Sequence, residues 1–406
     1  MPPRYGISPW IAQVPSTRRP VFPGQKGDVA AEVVIIGAGL TGSAVAYACA
    51  AAGMRPLVLE ADRVGTGTTA FGAGLILPEP GPAFRDVVAA QGLRTAKRAF
   101  GAWRRAALDA AALLRRLKIK CDLTPLDALT VTNEDAERGL RKEYDARVDA
   151  GLDLAWLAER QVRAATRADV ASGFRQSGAF GFDPYRACVG LAIAARARGA
   201  TFHENSPVVR IRPGRNHVNL VCERGTVQAG AVIVATGTAT TLFAPLRRHF
   251  TVRDTYHVLT SALPPAVRRQ VGAADTTLRD SHAPPHRLRW TSDHQVLIAG
   301  AEQAEAPARR RDALVKEWTF ELMYELLKMY PAISGLQPAY GWRLSSGMTR
   351  DGLPYIGAHR NYPRHLFALG GGVGESSTGA FLAARLLVRA LEGESDPGDD
   401  AFGFTR

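Results

Sequence analysis

The chain has 406 residues, of which 46% are hydrophobic and 22% are charged, and its formal net charge is +13. This length exceeds what one hydrophobic core usually serves, so two folding units are expected. The composition is typical of a globular enzyme and excludes a fibrous, repetitive or largely disordered protein.

The positive charge has two interpretations. A concentrated basic surface would attract an anionic partner such as nucleic acid, whereas scattered arginines would only cover solvated helix faces. The basic runs Arg115-Arg116 and Arg309-Arg310-Arg311 are short and carry no interleaved aromatic residues. Nucleic acid is therefore not expected as a partner.

The cysteines give no sign of a metal or disulfide framework. Cys49, Cys121, Cys188 and Cys222 lie far apart and form neither a CxxC pair nor a Cys/His cluster, so no metal site is expected. The sequence has no run of about 18 apolar residues that would span a bilayer, and residues 1–10 lack the apolar run of a signal peptide. These features predict a cytoplasmic protein without a membrane span.

The predicted elements begin with an arm over residues 1–27, whose six prolines disfavour regular helix and indicate extended chain. The run 32–36 (EVVII) is rich in β-branched residues and predicts a strand buried on both faces. A helix over 40–52 and a second buried strand over 56–60 complete one βαβ unit. The later elements are helices over 93–119, 191–198, 312–330 and 377–391, strands over 208–212, 217–222, 231–235 and 366–369, several strands within 251–300, and a frayed tail over 392–406.

A GxGxxG motif, Gly37-Ala38-Gly39-Leu40-Thr41-Gly42, stands between the first buried strand and its helix. Gly37 permits a tight turn, Gly39 lets the backbone approach a pyrophosphate at the helix N-terminus, and Gly42 lets the helix pack on the strand. Glu60 ends the second strand 18 residues after Gly42, where its carboxylate can accept both ribose hydroxyl protons and would repel a 2'-phosphate. The motif predicts a dinucleotide, NAD or FAD, and disfavours NADP.

The rest of the chain favours FAD. The stretch 60–69 (EADRVGTGTT), followed by Gly72-Ala73-Gly74, resembles the second FAD motif of the D-amino acid oxidase family, which includes glycine oxidase, sarcosine oxidase and gamma-glutamylputrescine oxidase. The resemblance continues, in the family's order, through 183–185 (DPY), 204–208 (ENSPV), 234–237 (VATG), 289–300, 349–357 (TRDGLPYIG) and 370–372 (GGG). It covers about 32–391 of the chain.

This resemblance implies an α/β fold, α+β overall, in which a GR2-type Rossmann-like FAD-binding domain carries an inserted antiparallel-sheet substrate domain. The FAD-binding domain is expected in the segments 28–83, 161–245 and 335–391. The substrate domain is expected in the segments 84–160 and 246–334, with the arm 1–27 and the tail 392–406 outside both.

The resemblance also implies how FAD is held. Arg63 and the turn 67–69 are expected at the pyrophosphate and ribityl chain, the Val208 backbone beside adenine, and the turn before the last helix at the flavin C2 carbonyl. Attachment should be non-covalent, since Leu344 stands where sarcosine oxidases carry the attaching cysteine. The expected cofactor residues are Gly37, Gly39, Leu40, Thr41, Gly42, Glu60, Ala61, Arg63, Gly67, Thr68, Thr69, Gly72, Ala73, Gly74, Val208, Ala235, Thr236, Gly237, Asp351, Gly371, Gly372, Val373, Gly374 and Ser376.

A substrate carboxylate would require an arginine, whose two-pronged donor geometry matches it. Arg289 is the preferred candidate, and the alternatives are Arg253, Arg287 and Arg343. Each of these arginines could instead form an ordinary ion pair at the surface or between domains.

Aromatic and acidic side chains complete the expected site. Tyr256 and Trp342 are predicted to line the pocket, with His257 and Tyr340 as further candidates, although aromatic residues at such positions also serve as core. Glu375 follows Gly372-Val373-Gly374, where the family usually has Gly-His-Gly, and it would meet either the substrate ammonium or only the helix N-terminus.

The predicted activity is oxidation of a C–N bond in an amine or amino acid. The α-carbon would deliver hydride to flavin N5, the imine would hydrolyse, and oxygen or another acceptor would reoxidise the flavin. Sarcosine oxidases activate oxygen with a lysine, and no lysine occurs between 143 and 315. Two alternatives stay open: a flavin-dependent RNA-modifying enzyme, and a non-catalytic flavoprotein whose departures at 70–74 and 372–375 mark a disabled site. The oligomeric state is not predicted.

Overall fold

The computed structural model describes residues 2–271, 275–370 and 377–406. Within them the strands are β1 (Arg4–Tyr5), β2 (Val29–Ile36), β3 (Leu57–Leu59), β4 (Leu75–Ile76), β5 (Thr124–Thr132), β6 (Ala155–Leu157), β7 (Ser172–Gly181), β8 (Thr201–His203), β9 (Val208–Pro213), β10 (Val218–Cys222), β11 (Gly225–Gly237), β12 (Thr251–Thr260), β13 (Thr276–Arg279), β14 (Arg287–Trp290), β15 (Val296–Ala304), β16 (Pro338–Met348), β17 (Tyr355–Ala358) and β18 (His365–Leu369).

The helices of the same residues are α1 (Pro9–Ala12), α2 (Leu40–Ala51), α3 (Thr68–Phe71), α4 (Phe84–Gln91), α5 (Leu93–Arg116), α6 (Glu137–Asp149), α7 (Glu159–Thr166), α8 (Pro184–Arg196), α9 (Pro265–Arg268), α10 (Arg311–Met329) and α11 (Thr378–Leu391). None of these helices has both the length and the apolar character needed to cross a bilayer.

The smaller sheet forms the Rossmann-like half of the fold. Among the described residues it has eight strands in the order β17-β18-β11-β2-β3-β8, with β10 pairing on β11 and β9 on β10. β2 runs parallel to both neighbours, so that Val34 lies opposite Leu57 on one side and Val232 on the other. Val33 and Ile35 pack with α2, α8 and α11, whereas Val34 and Ile36 pack in a second cluster with Leu220 and Phe243, so the strand is buried on both faces. The predicted βαβ unit and fold class are confirmed.

The larger sheet has ten strands in the described residues, in the order β1-β16-β12-β15-β14-β13-β5-β7-β4, with β6 on β7. Its pairs are antiparallel except β1–β16 and β5–β13. Its inner face, which carries Leu259, Leu297 and Trp342, packs on Ala73 and Leu75. Its outer face packs on α10. The segment 72–74, which is expected to contact the cofactor, and the inner face are therefore neighbours.

Two strands, β7 and β16, pair differently from what the predicted domain boundaries imply. Both lie in segments expected to belong to the FAD-binding domain, yet both pair within the larger sheet. β16 pairs along its length with β12, with Trp342 opposite His257. Helix α8 also begins earlier than its predicted start at 191, because Asp183 caps it by accepting from the Arg186 amide at 2.9 Å and Pro184 fits the first turn.

The N-terminal arm is more regular than its prolines predict. Pro9 begins the short helix α1, and the Ser8 hydroxyl accepts from the Trp10 amide at 3.3 Å. The Trp10 ring is buried, and its Nε1 donates to the Gly72 carbonyl at 3.0 Å. The expectation of an arm without helix was wrong, because proline is tolerated in the first turn of a helix.

The C-terminal tail is packed rather than frayed. Residues Asp399–Phe402 form a 3-10 turn, and Phe402 is completely buried. Arg406 forms an ion pair with Asp351 at 2.8 Å and lies 3.9 Å from the centre of the Tyr355 ring. The predicted fraying was wrong, because the apolar anchor Phe402 joins the main core.

Replacing Phe402 with alanine tests this tail. The variant should lose about 3 kcal/mol of unfolding free energy, because a buried phenyl ring is deleted. The matched control Phe320→Ala, at a side chain that is 59% exposed, should change stability by less than about 0.5 kcal/mol. Urea denaturation measures both, and equal small losses would show that the tail does not hold the fold.

Candidate cofactor and substrate site

The turn between β2 and α2 leaves no room for side chains. Gly37 has φ +100°, and a Cβ on it would lie 2.8 Å from the Ala235 carbonyl oxygen. A Cβ on Gly42 would lie 1.9 Å from the Gly37 oxygen. Gly39 is the N-cap of α2 and supplies no side-chain cap. The helix therefore begins as bare backbone, which suits an approaching pyrophosphate.

Glu60 ties this turn to the loop that follows β3. Its Oε2 accepts from the Ala38 amide at 2.6 Å, and its Oε1 accepts from the Asp62 amide at 3.0 Å. A carboxylate has about four acceptor positions, so two hydrogen bonds leave capacity for ribose hydroxyls. The carboxylate is thus held where the sequence predicts ribose recognition.

Two buried residues that were not predicted to be functional hold this loop and the adjacent glycine turn. Glu204 accepts from the Val64 amide at 2.9 Å and from the Phe22 amide at 3.2 Å, which joins the arm to the loop. The Cys188 thiol lies 3.5 Å from the Ala38 carbonyl oxygen, and burial raises its pKa to about 12, so it remains neutral. Both were missed because their partners are backbone groups far away in sequence.

A cleft runs from the start of α2 to the start of α11, with β16 as its far wall. It is lined by Leu40, Thr41, Thr68, Thr69, Gly72, Thr236, Gly237, Thr238, Leu344, Ser345, Ser346, Gly347, Pro354, Ile356, Ala368, Ser377, Gly379, Ala380 and Ala383. The Thr69 hydroxyl accepts from the Leu40 amide at 2.8 Å. Seven of the predicted cofactor residues therefore come together in one lining.

The residues present fit an extended dinucleotide such as FAD. The bare glycine turn and Glu60 would hold the phosphates and the ribose of such a group, and Ser346 lines the opposite wall. Among the described residues, the buried Ser346 hydroxyl has no hydrogen-bond partner, a deficit of about 1–3 kcal/mol that a polar ring atom would remove. Leu344 lies in the lining and offers no sulfur for covalent attachment.

Other predicted cofactor residues surround this lining without joining it. Ala61 and Arg63 are exposed in the loop after β3, and Gly67 is the N-cap of α3. Ala73 is buried in the inner-face cluster. Val208 begins β9 and packs on the core of the smaller sheet.

The remaining residues predicted for the site fall into three groups. Gly74 has φ +68°, and a Cβ there would lie 2.4 Å from the Phe182 carbonyl oxygen, so its role is to permit close backbone packing. Asp351 is held by Arg406 at 2.8 Å and by the Leu353 amide at 3.1 Å. Gly371, Gly372, Val373, Gly374, Glu375 and Ser376 lie outside the described residues.

His257 and Trp342 form a stacked pair on the inner face, with ring centroids 5.3 Å apart. Trp342 Nε1 donates to the Phe71 carbonyl at 2.9 Å, which joins the pair to α3. Burial lowers the pKa of His257 to about 3. Among the described residues, neither of its ring nitrogens has a hydrogen-bond partner. The pair therefore presents a neutral imidazole with unused hydrogen-bonding capacity.

Arg289 is a buried cation on the same face, opposite Leu297 in the strand register. Its Nη1 donates to the Gly74 carbonyl and, at 3.1 Å, to the Phe182 carbonyl. Burial lowers the pKa of Arg289 to about 10, although distant acidic groups partly oppose the shift. In the described part of the chain, no carboxylate forms an ion pair with it within 4.0 Å.

Tyr256 and Arg343 lie on the outer face instead. They are opposite each other in the strand register, and Tyr256 stacks on Trp318 of α10 with centroids 5.7 Å apart. Arg343 forms an ion pair with the fully buried Asp254 at 2.5 Å. The structure thus separates Tyr256 from Arg289 and Trp342, because neighbouring residues of a strand point to opposite faces.

The other candidate arginines already interact with acidic groups. Arg253 lies 3.9 Å from Glu302 at the surface. Burial alone would raise the pKa of Glu79, but Arg147, Arg279 and Arg287 outweigh it and lower that pKa. Arg287 therefore belongs to a buried charge cluster around Glu79, which leaves Arg289 as the candidate without an acidic partner.

Comparison with known proteins identifies similar chains over most of this length. A model of the family described as FAD dependent oxidoreductase matches residues 32–390. The gamma-glutamylputrescine oxidoreductase of Escherichia coli is 23% identical over 373 residues, which are 91% of this chain and 85% of that protein. The glycine oxidase of Bacillus licheniformis is 24% identical over 392 residues, 89% of this chain and 95% of that protein.

The fold is also similar to that of a solved structure. The crystal structure of glycine oxidase from Geobacillus kaustophilus has a TM-score of 0.72 and is 20% identical, covering 93% of this chain and 99% of that one. At this identity the likeness concerns the fold. It agrees with the α/β architecture expected from the sequence.

Gly42→Ala tests the glycine turn. A Cβ there would meet the Gly37 oxygen at 1.9 Å, so the variant should bind FAD at least about tenfold more weakly, equivalent to 1.4 kcal/mol, and should therefore lose flavin during purification. The ratio of flavin to protein absorbance measures this after purification. The matched control is Gly101→Ala in α5, where a Cβ meets nothing within 4 Å. Equal flavin content in both variants would contradict the assigned role.

His257→Phe tests the neutral imidazole through stability. Burial lowers the folded-state pKa to about 3, so the neutral ring contributes stability that is present above about pH 6.5 and lost as pH falls towards 3. Between pH 7 and pH 5 the wild type should lose about 2 kcal/mol more than the variant. Urea unfolding at both pH values measures the difference, and identical pH dependence would contradict a buried neutral His257.

Proposed function

The chain belongs to the FAD dependent oxidoreductase family, that of D-amino acid oxidase, and on that basis we propose that it oxidises the C–N bond of a carboxylate-bearing amine or amino acid. FAD, when bound, supplies a hydride acceptor at N5. The hydride leaves the substrate α-carbon, and water then hydrolyses the resulting imine to a carbonyl compound and an amine. The observation that carries the proposal is the buried Arg289 cation without an acidic partner.

Arg289 supports a substrate with a carboxylate. A buried charge without a partner is unfavourable, and an entering carboxylate would supply the missing counter-charge. Its Nη1 already donates to the Gly74 and Phe182 carbonyls. These two hydrogen bonds fix the orientation of the guanidinium. Its Nε is buried and has no partner among the described residues, so a carboxylate that reached it would gain a hydrogen-bond donor.

His257 supports a substrate that reacts as a neutral amine. A group with a pKa of about 3 is too weak a base to remove a proton from an ammonium at neutral pH. The imidazole instead offers a hydrogen bond while excluding water with Trp342. Burial at this ring disfavours an ammonium, so the site would select the neutral form that can release hydride.

Some features of the reaction stay predictions. Either oxygen or another acceptor would reoxidise the flavin. Trp342 and Glu375 keep their proposed substrate roles, whereas Tyr256, predicted to line the pocket, has its ring against Trp318 on the outer face. A cytoplasmic location likewise stays a prediction.

Anaerobic mixing with matched compounds tests the activity. The flavin absorbance of the purified protein is followed with pairs such as glycine and methylamine, or N-methylglycine and dimethylamine. At least one carboxylate-bearing amine should bleach the flavin, and its partner without a carboxylate should bleach it much more slowly. No bleaching by any compound of an extended amine and amino-acid panel would overturn the proposal and favour the non-catalytic alternative.

Arg289→Lys tests the carboxylate contact. Loss of the two-pronged donor should raise KM for the best carboxylate substrate about tenfold or more, equivalent to 1.4 kcal/mol. KM for the analogue without a carboxylate should stay unchanged, whereas structural damage would raise both. The control Arg253→Lys, at a surface pair, should change neither, and an equal effect of Arg289→Lys on both substrates would contradict the role.

A further inference from the structure

The loop between β13 and β14 wraps around one buried carboxylate. Asp280 is 6% exposed, and its Oδ1 accepts from the backbone amides of His282 at 3.2 Å and His286 at 2.7 Å. These two bonds fix the plane of the carboxylate. Its Oδ2 is therefore held in one direction.

Two imidazoles converge on that second oxygen. Nδ1 of His282 lies 2.8 Å from Oδ2, and Nδ1 of His286 lies 2.7 Å from it. The three donor atoms all lie within 4.8 Å of one another. Both rings meet the same carboxylate oxygen at hydrogen-bond distance, so each Nδ1 carries the proton that it donates to Oδ2.

This arrangement has the donor types and the access that a transition-metal ion needs. Two imidazole nitrogens and one carboxylate oxygen are ligands of Zn²⁺, and three protein ligands leave the fourth position open. Ser281 and His282 line a cavity of about 400 Å³ together with Thr132 and Asn133, through which an ion and a water ligand can enter. The His282 side chain is 51% exposed and can move to widen the site.

We propose that Asp280, His282 and His286 bind one divalent transition-metal ion, such as Zn²⁺, on the larger sheet and apart from the cofactor cleft. Binding replaces the two Nδ1–H···Oδ2 hydrogen bonds with metal–ligand bonds, and each Nδ1 proton moves to Nε2 of the same ring. The backbone bonds to Oδ1 remain and orient the carboxylate, as outer-shell contacts do in metal sites. This proposal differs from the expectation of no metal site, which was based on the absence of CxxC pairs and Cys/His clusters.

Calorimetric titration of the flavin-loaded, tag-free protein with Zn²⁺ tests the site, after treatment with a chelator and removal of the chelator. One Zn²⁺ per chain should bind with a Kd in the micromolar range or below, and Mg²⁺ should give no saturable heat because it prefers oxygen ligands. The thermal midpoint should rise with Zn²⁺, since the ion binds the folded state. Absence of saturable Zn²⁺ binding would overturn the proposal.

Variants separate this site from adventitious binding. His282→Ala removes a direct ligand and should weaken Zn²⁺ binding by roughly a hundredfold or more, since losing even an outer-shell partner costs about 10–100-fold in affinity. Because His282 is half-exposed, this variant should fold, and its flavin content checks that it does. His217→Ala, at an imidazole outside the loop, should bind as the wild type does. Wild-type affinity in both His282→Ala and His286→Ala would contradict the assignment.

Discussion

The close approach of α2 to the end of β2 is the constraint on which the rest of the structure depends. No Cβ can exist at Gly42, because it would lie 1.9 Å from the Gly37 oxygen. The helix start is thereby pressed against β11, and Glu60 can reach the Ala38 amide at 2.6 Å. The same backbone packing would present bare amides to a phosphate and the Glu60 carboxylate to a ribose, so one glycine spacing links the local fold to the proposed dinucleotide site.

Alternation of side chains along the strands of the larger sheet divides the substrate candidates between its two faces. Trp342 and His257 face the cofactor side, whereas their strand neighbours Arg343 and Tyr256 face α10. Arg289 joins the inner set as a cation with no acidic partner in the described residues. The inner face thus carries buried polar atoms without hydrogen-bond partners in the described residues, namely both ring nitrogens of His257 and Nε of Arg289.

The elements around the glycine turn 37–42 were predictable because the sequence patterns that specify them are local. The β-branched run 32–36 and the GxGxxG spacing place a strand, a turn and a helix without reference to the rest of the chain. The residues that sequence reasoning misplaced depend on distant partners: the turn that carries Phe402 packs on α5, far away in sequence, and β16 joins the larger sheet through pairing with β12. Likewise, the face occupied by Tyr256 follows from register, which sequence alone does not specify without its partner strand.

The central claim is that the glycine turn and Glu60 hold the adenosine diphosphate part of FAD. Titrating the flavin-free protein with FAD and with FMN, followed by flavin fluorescence, tests it most directly, since FMN lacks the adenosine and the second phosphate. FAD should bind one per chain and at least about a hundredfold more tightly than FMN, equivalent to 2.8 kcal/mol. Equal affinity for the two flavins, or no uptake of either, would contradict the account.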